Sequence, residues 1–304
     1  MSTPHTSIPS NQETTPEAVR HALRNRAEIA LLDVREEDPF AAAHPLFAVN
    51  LPLGRIEERV AALIPRLNVP IVVYDAGEGR TEKAISILKA LGYTAVSALA
   101  GGLEGWRASG GELFIDVNVP SKAFGELVEH VRHTPSLAAE DVQARLTRGD
   151  DLVILDARRF VEYNTMSIPG GRSVPGAELA LRARDIAPSP ATTIIVNCAG
   201  RTRSLIGTQS LVNAGLPNPV YALRNGTIGW TLAGFELEHG ATRIGDTANA
   251  HNLETARQNA QSLAERTGVR LLTTAELKQL EKNPNISLYR LDVRSPEEYA
   301  ANHL

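Results

Sequence analysis

Short, near-continuous apolar runs punctuate the chain: Ile71-Val72-Val73-Tyr74, Leu152-Val153-Ile154-Leu155 and Ile194-Ile195-Val196. They lack polar alternation and are rich in β-branched residues, the pattern of strands covered on both faces in a parallel sheet. Between such runs lie helical stretches, Glu82 to Leu91 and Ser204 to Ala214. Each is followed by a glycine, Gly92 or Gly215, suited to the left-handed residue just past a helix end. Val96 to Leu99 and Val220 to Leu223 read as returning strands. Strands alternating with helices predict α/β units with right-handed crossovers.

The pattern is duplicated. Leu32-Asp33-Val34-Arg35 recurs as Leu155-Asp156-Ala157-Arg158, an offset of 123 residues, and again as Leu291-Asp292-Val293-Arg294. At the same offset Leu51-Pro52 matches Val174-Pro175, Asp75 matches Cys198, and Arg80-Thr81 matches Arg203-Ser204. Gly101-Gly102 through Trp106 then matches Asn225-Gly226 through Trp230. A fixed offset held over so many matches reports duplicated units. Unit one spans residues 13–115 and unit two 134–240, joined by a connection of mixed character over 116–133. Opening helices are signalled by Thr14 with Glu17 and by Thr273 with Glu276, at capping-box spacing. Unit two has Leu137 at the capping position, so its cap must differ. Residues 252–267 carry Leu253, Ala256, Ala260, Leu263 and Ala264 at helical spacing and predict a connecting helix. A third unit starts at residue 269 and reaches only the counterpart of Ile168 by Leu304. Too short for its own core, 269–304 is expected to lack order or to dock on unit two or another chain.

Composition narrows the classes. With 304 residues and 43% hydrophobic content, about two domains with buried cores are expected. A formal charge of −4 with scattered basic residues gives no footprint for nucleic acid or an anionic membrane. Residues 1–16 are polar and lack the apolar core of a secretory signal, and no run approaches a membrane span. The single cysteine makes an internal disulfide impossible and fits a reducing compartment, so the expected location is the cytoplasm.

That cysteine, Cys198, sits where an apolar strand meets a turn and then a helix. The loop Cys198-Ala199-Gly200-Arg201-Thr202-Arg203-Ser204 places four residues between the thiol and Arg203. A short loop closed on a helix start aims backbone N–H groups and a positive helix end at the sulfur. Such settings lower thiol pKa values and favour a nucleophilic thiolate, whereas a free cysteine is otherwise most often a small buried hydrophobe. Arg201 reads either as an attractor for a divalent anion or as a solvated charge. Ser204 reads as a donor to the sulfur or as a helix cap. Trp106 and Trp230 read as packing residues.

In order and in register, Leu155 to Arg158, Glu162-Tyr163 followed by Ile168-Pro169-Gly170-Gly171, Cys198 to Ser204 and Asn225-Gly226 leading to Trp230 resemble the rhodanese family of sulfurtransferases. The resemblance covers nearly the whole chain: two tandem modules and the beginning of a third. It implies an α/β fold in which each module is a five-stranded parallel sheet flanked by helices. It also implies a Cys198 that takes sulfane sulfur from thiosulfate or a similar donor as a persulfide and passes it on, with no metal or cofactor. With no second cysteine in the chain, the acceptor must be external: cyanide, a thiol such as glutathione, or a thioredoxin-like protein.

The resemblance places Arg203 at the family's loop-closing arginine, Arg158 near the active-site rim as a substrate contact, and Asp156 as a support for its loop. It also marks Arg201 as a departure, since simple members often have glycine there. Asp75 stands where unit one would need its cysteine, so that module is expected to be inactive as a sulfurtransferase. Two rival readings are a non-catalytic rhodanese-like scaffold and a cysteine phosphatase. The phosphatase loop has five residues between cysteine and arginine rather than four.

Overall fold

The computed structural model describes residues 13–245 and 249–303. Of the leaderless reading of residues 1–16, the part covering residues 1–12 lies outside the described residues. The chain divides into two compact units, one of residues up to Pro120 with Leu272–Asp292, the other of Ser121–Leu271 with the residues from Val293.

The first unit runs β1 (Glu13–Thr14), α1 (Pro16–Arg24), β2 (Ala30–Asp33), α2 (Glu37–Ala42), β3 (Val49–Asn50), α3 (Ile56–Leu63), β4 (Ile71–Tyr74), α4 (Thr81–Ala90), β5 (Val96–Leu99) and α5 (Gly102–Ala108). Next come α6 (Val119–Arg132) and the second unit's β6 (Ser136–Leu137), α7 (Ala139–Arg148), β7 (Leu152–Asp156), α8 (Phe160–Thr165), β8 (Arg172–Ser173), α9 (Leu179–Ile186), β9 (Thr193–Asn197), α10 (Thr202–Asn213), β10 (Val220–Leu223) and α11 (Gly226–Leu232). The sheets have orders β1-β5-β4-β2-β3 and β6-β10-β9-β7-β8, parallel throughout. This is the five-stranded parallel α/β architecture expected from the sequence.

Burial explains the continuous apolar runs. In the second unit Leu155, Ile194 and Val196 face one way, against Val174, Leu179 and Leu211. Ile154 and Ile195 face the other, against Val142, Ile168 and Trp230. A strand sandwiched between two helix layers has no solvent face, so no polar alternation is tolerated. Both tryptophans lie in cores, each indole N–H donating to a main-chain oxygen six residues on: Trp106 to Glu112 and Trp230 to Glu236, both at 3.0 Å.

Three local expectations need correction. The first helix is capped by Thr15, whose Oγ1 accepts from Ala18 N at 3.2 Å. Thr14 instead belongs to edge strand β1, paired with Leu99, and its hydroxyl bonds Ser97 Oγ at 2.7 Å. Second, the mixed stretch 116–133 is mostly the helix α6. Third, residues 272–292 group with the first unit, not the second. Tyr289 Oη donates to Leu63 O at 2.9 Å, and Ser287 Oγ meets the Glu28 carboxylate.

Helix α12 (Ala250–Thr267) spans the predicted connecting helix and lies on the second unit, where Asn252 Nδ2 donates to Asp185 Oδ1 at 2.9 Å and Arg266 Nη2 to Asn213 O at 3.2 Å. Beyond it, α13 (Thr274–Glu281) carries the capping box of Thr273 with Glu276, and α14 (Pro296–Ala301) one of Ser295 with Glu298. Neither helix buries a residue, and the third Leu-Asp-x-Arg segment forms no strand: Leu291 and Val293 are 84% and 83% exposed. Among the described residues, no helix is long and apolar enough to cross a membrane.

Candidate active site

Strands β7 and β9 lie side by side, and Asp156 at the end of one faces Asn197 at the end of the other. The Asp156 carboxylate is buried, so it needs several donors. Oδ1 accepts from Arg158 N at 3.0 Å and Nε at 2.8 Å. Oδ2 accepts from Arg158 Nη2 at 2.7 Å and Asn197 Nδ2 at 2.9 Å. Arg158 Nη2 also donates to Met166 O, at the end of α8, at 2.6 Å. The bracket recurs in the first unit, where Asp33 and Arg35 pair and Arg35 Nη2 reaches Ala43 O at 2.8 Å. Arg294 Nη2 likewise donates to Asn302 O at 2.6 Å, just past α14. Asp156 therefore ties a strand end to its neighbours. Arg158, expected at the rim as a substrate contact, is instead a buried brace: at 3% exposure its charge needs a partner, and the carboxylate two residues earlier supplies it.

Immediately after β9 comes Cys198, 2% exposed, and after three loop residues the helix α10. Its Sγ lies 3.6 Å from Ser204 Oγ, and Ser204 Oγ donates to Arg201 O at 2.8 Å. The loop carbonyls are drawn backwards by the start of α11. Thr227 N donates to Cys198 O at 2.9 Å, while Ile228 N and Thr227 Oγ1 donate to Ala199 O at 3.1 and 3.2 Å. Gly226, at φ 55°, makes this approach possible: a Cβ there would sit 2.1 Å from Cys198 O. With the carbonyls held behind, the amides of Ala199 to Ser204 have no intramolecular acceptor among the described residues. The first turn of α10 and its dipole add to that donor-rich surface.

The two loop arginines have partners of their own. Arg203 forms a bidentate pair with Glu162 of α8, both N–O distances 2.8 Å. The guanidinium holds the Glu162 carboxyl below the usual carboxylate range, and that pairing raises Arg203 in turn. Glu162 thus holds Arg203, and no bond from its guanidinium to a loop carbonyl is found among the described residues. Arg201 Nε lies 3.1 Å from Glu126 Oε1 and Nη2 contacts the Glu129 carboxylate, both on α6. Arg201 is neither a free attractor nor a bare surface charge. Glu126, Glu129 and Thr227 had no role in the sequence reading. Glu162 and Gly226 stood in matched motifs, and Gly226 could have been singled out because its counterpart, Gly102, keeps the residue type.

In the first unit the same position holds Asp75, 7% exposed, and its carboxylate fills the cup. Oδ1 accepts from Gly77 N at 2.9 Å, and Oδ2 from Arg80 N at 2.6 Å and Thr81 N at 3.1 Å. Leu103 N donates to Asp75 O at 3.0 Å, so the helix-start support is kept. The loop path is not: Gly77 and Gly79 take φ 102° and 73°, whereas none of residues 199–204 has positive φ. Replacing Asp75 by alanine is expected to cost the first unit about 2 kcal/mol, because three amides lose a charged acceptor. Faster hydrogen exchange of the β4 and β5 amides is the measurement, and unchanged exchange would refute the assigned role.

Comparison with known proteins agrees with this geometry. The rhodanese-like domain family matches residues 15–109 and 138–233. Among solved structures, the thiosulfate sulfurtransferase from Pseudomonas aeruginosa is similar over 96% of this chain, with 62% identity and a TM-score of 0.92. This chain spans 56% of its length. Thiosulfate sulfurtransferase PspE of Escherichia coli (strain K12) is 36% identical over 73 residues, 24% of this chain and 69% of that relative. The uncharacterized protein YqhL of Bacillus subtilis (strain 168) is 33% identical over 76 residues, 25% of this chain and 59% of its own length. Two stretches in the same register, each with the sheet and the strand-loop-helix corner just described, place this chain in the rhodanese family.

Proposed function

We propose that the second unit is a sulfurtransferase that moves sulfane sulfur through a persulfide on Cys198. The observation that carries this reading is the run of unpaired amides, Ala199 to Ser204, around a buried thiol at a helix start. Such a cup favours negative charge on sulfur and suits a single atom better than a tetrahedral phosphate.

In the first step the Cys198 thiolate attacks the outer sulfur of thiosulfate or a similar donor. A new S–S bond forms, the old one breaks, and sulfite leaves with its electron pair. The remaining charge sits on the terminal sulfur, within reach of the loop amides. Ser204 accepts from the thiol and donates to Arg201 O; once the sulfur is ionised it can turn its hydrogen to the sulfur. In the second step an external thiophile, such as cyanide, a thiol or a thioredoxin-like protein, attacks the terminal sulfur and restores the thiolate.

The same logic makes the first unit inactive in transfer, since a carboxylate cannot carry sulfur and Asp75 already occupies its cup. We take residues 13–115 and 134–240 as the two modules, 252–267 as the connecting helix and 269–304 as the start of a third. A phosphatase reading fits less well, because Arg203 is engaged by a Glu162 carboxylate, which leaves its bidentate face unavailable to a phosphate.

Replacing Cys198 by serine is expected to abolish thiocyanate formation from thiosulfate and cyanide, and with it the gain of one sulfur atom on the protein by mass spectrometry. Full turnover in that variant, or no sulfur uptake by the parent chain from any sulfane donor, would reject the proposal.

A further inference from the structure

Arg201 carries the positive charge closest in sequence to the thiol, yet its guanidinium is turned onto α6, against Glu126 and Glu129. The helix itself presses on the loop. Gly125 is so close to the start of α10 that a Cβ there would lie 3.1 Å from Thr202 Cγ2 and 3.3 Å from its Cα. A glycine inside a 14-residue helix costs about 1 kcal/mol against alanine, and this approach explains its presence. The same helix that touches the loop therefore delivers two carboxylates to Arg201. Arg201 brings one positive charge and the two glutamates two negative ones. Arg203 and Glu162 cancel each other.

We infer that Glu126 and Glu129 are specificity-determining residues for the reaction proposed above: by holding Arg201 on α6 and setting two carboxylates against its single charge beside the loop, they disfavour dianionic donors such as thiosulfate relative to singly charged sulfane-sulfur donors. The inference rests on Cys198 being the sulfur carrier. A dianion feels twice the repulsion that a monoanion feels from the same two carboxylates, and it gains nothing from an arginine already neutralised.

The test uses the full chain carrying Glu126→Gln and Glu129→Gln together. Alkylation of Cys198 by uncharged iodoacetamide is followed while sulfate, which resembles the sulfonate end of thiosulfate, or the monoanion methanesulfonate is added. The sulfate concentration that halves the alkylation rate is expected to fall about tenfold in the double variant, and that of methanesulfonate about threefold. In turnover, KM for thiosulfate should fall by the larger factor with kcat unchanged. Adding Arg201→Ala should remove part of the gain, the share that the freed guanidinium supplies, and raised ionic strength should shrink what is left. Equal change for the two anions, no change, or a gain undiminished by loss of Arg201 would overturn the inference. Failure of every sulfane donor to load sulfur on the parent chain would instead count against the reaction itself, and anion protection would still decide what the glutamates do.

Discussion

Replacing Gly226 by alanine is expected to cut sulfur transfer by at least about 10²-fold and to destabilise the second unit by about 2–4 kcal/mol. The residue sits at φ 55°, where a side chain already costs about 1–2 kcal/mol. More serious is what the new methyl meets: Cys198 O at 2.1 Å, Gly200 O at 2.7 Å and the carbonyl carbon of Ala199 at 2.9 Å. All three are main-chain atoms of the Cys198 loop, so no rotamer change relieves the clash and the loop or α11 must move. Movement of the loop breaks the bonds from Thr227 and Ile228 that point its carbonyls backwards. Gly234→Ala is the control: that glycine has φ 82° with nothing within 4 Å, so it carries the conformational cost without the collision. Thiosulfate–cyanide turnover and thermal unfolding of the two variants separate the effects. Equal losses in both would show that contact with the loop is irrelevant.

The second large effect concerns Arg158. Its replacement by alanine leaves the Asp156 carboxylate, 1% exposed, with one main-chain amide and Asn197 as its donors among the described residues. Removing one member of a buried ion pair typically costs about 3–5 kcal/mol. Replacing both residues at once, Asp156→Asn with Arg158→Met, is expected to recover a good part of that loss, because no buried charge is then left over. A chain of two units need not unfold in one step, so the reading should be local: hydrogen exchange of the β7 and β9 amides. Were Arg158 a donor-binding residue of the rim, its loss would raise KM for thiosulfate and leave those amides as protected as before.

Much of this molecule could be read from residues close together in the chain. The offset of 123 residues fixed the correspondence of Asp75 with Cys198, and the unbroken apolar runs of β4, β7 and β9 specified strands buried on both faces. Local signals failed where a neighbour distant in sequence decides. Thr14 has the spacing of a helix cap, but pairing with Ser97 and Leu99 draws it into the sheet and passes the cap to Thr15. Helix α6 was obscured by Gly125, an unfavourable residue in a helix interior until Thr202 is seen against it. The partners of Arg158 and Arg201 stayed hidden for one reason. An arginine looks available in a sequence, and only the fold brings in Met166 and Asn197 around the first pair, or Glu126 and Glu129 to the second. Glu162 was visible as a motif residue, but its bidentate grip on Arg203 spans 41 positions.

The Asp–Arg bracket is built alike in a unit that holds a thiol and in one that holds a carboxylate. Folding signature and chemical capacity are thus inherited separately here. A search keyed to Leu-Asp-x-Arg finds three matches here, of which two belong to a sheet among the described residues. The amino acid 42 positions beyond the aspartate, Asp75 after Asp33 and Cys198 after Asp156, is what, under the proposed function, sorts a sulfur-carrying scaffold from a silent one. Proteome-wide maps of electrophile-labelled thiols would accordingly register only one half of this duplicated architecture.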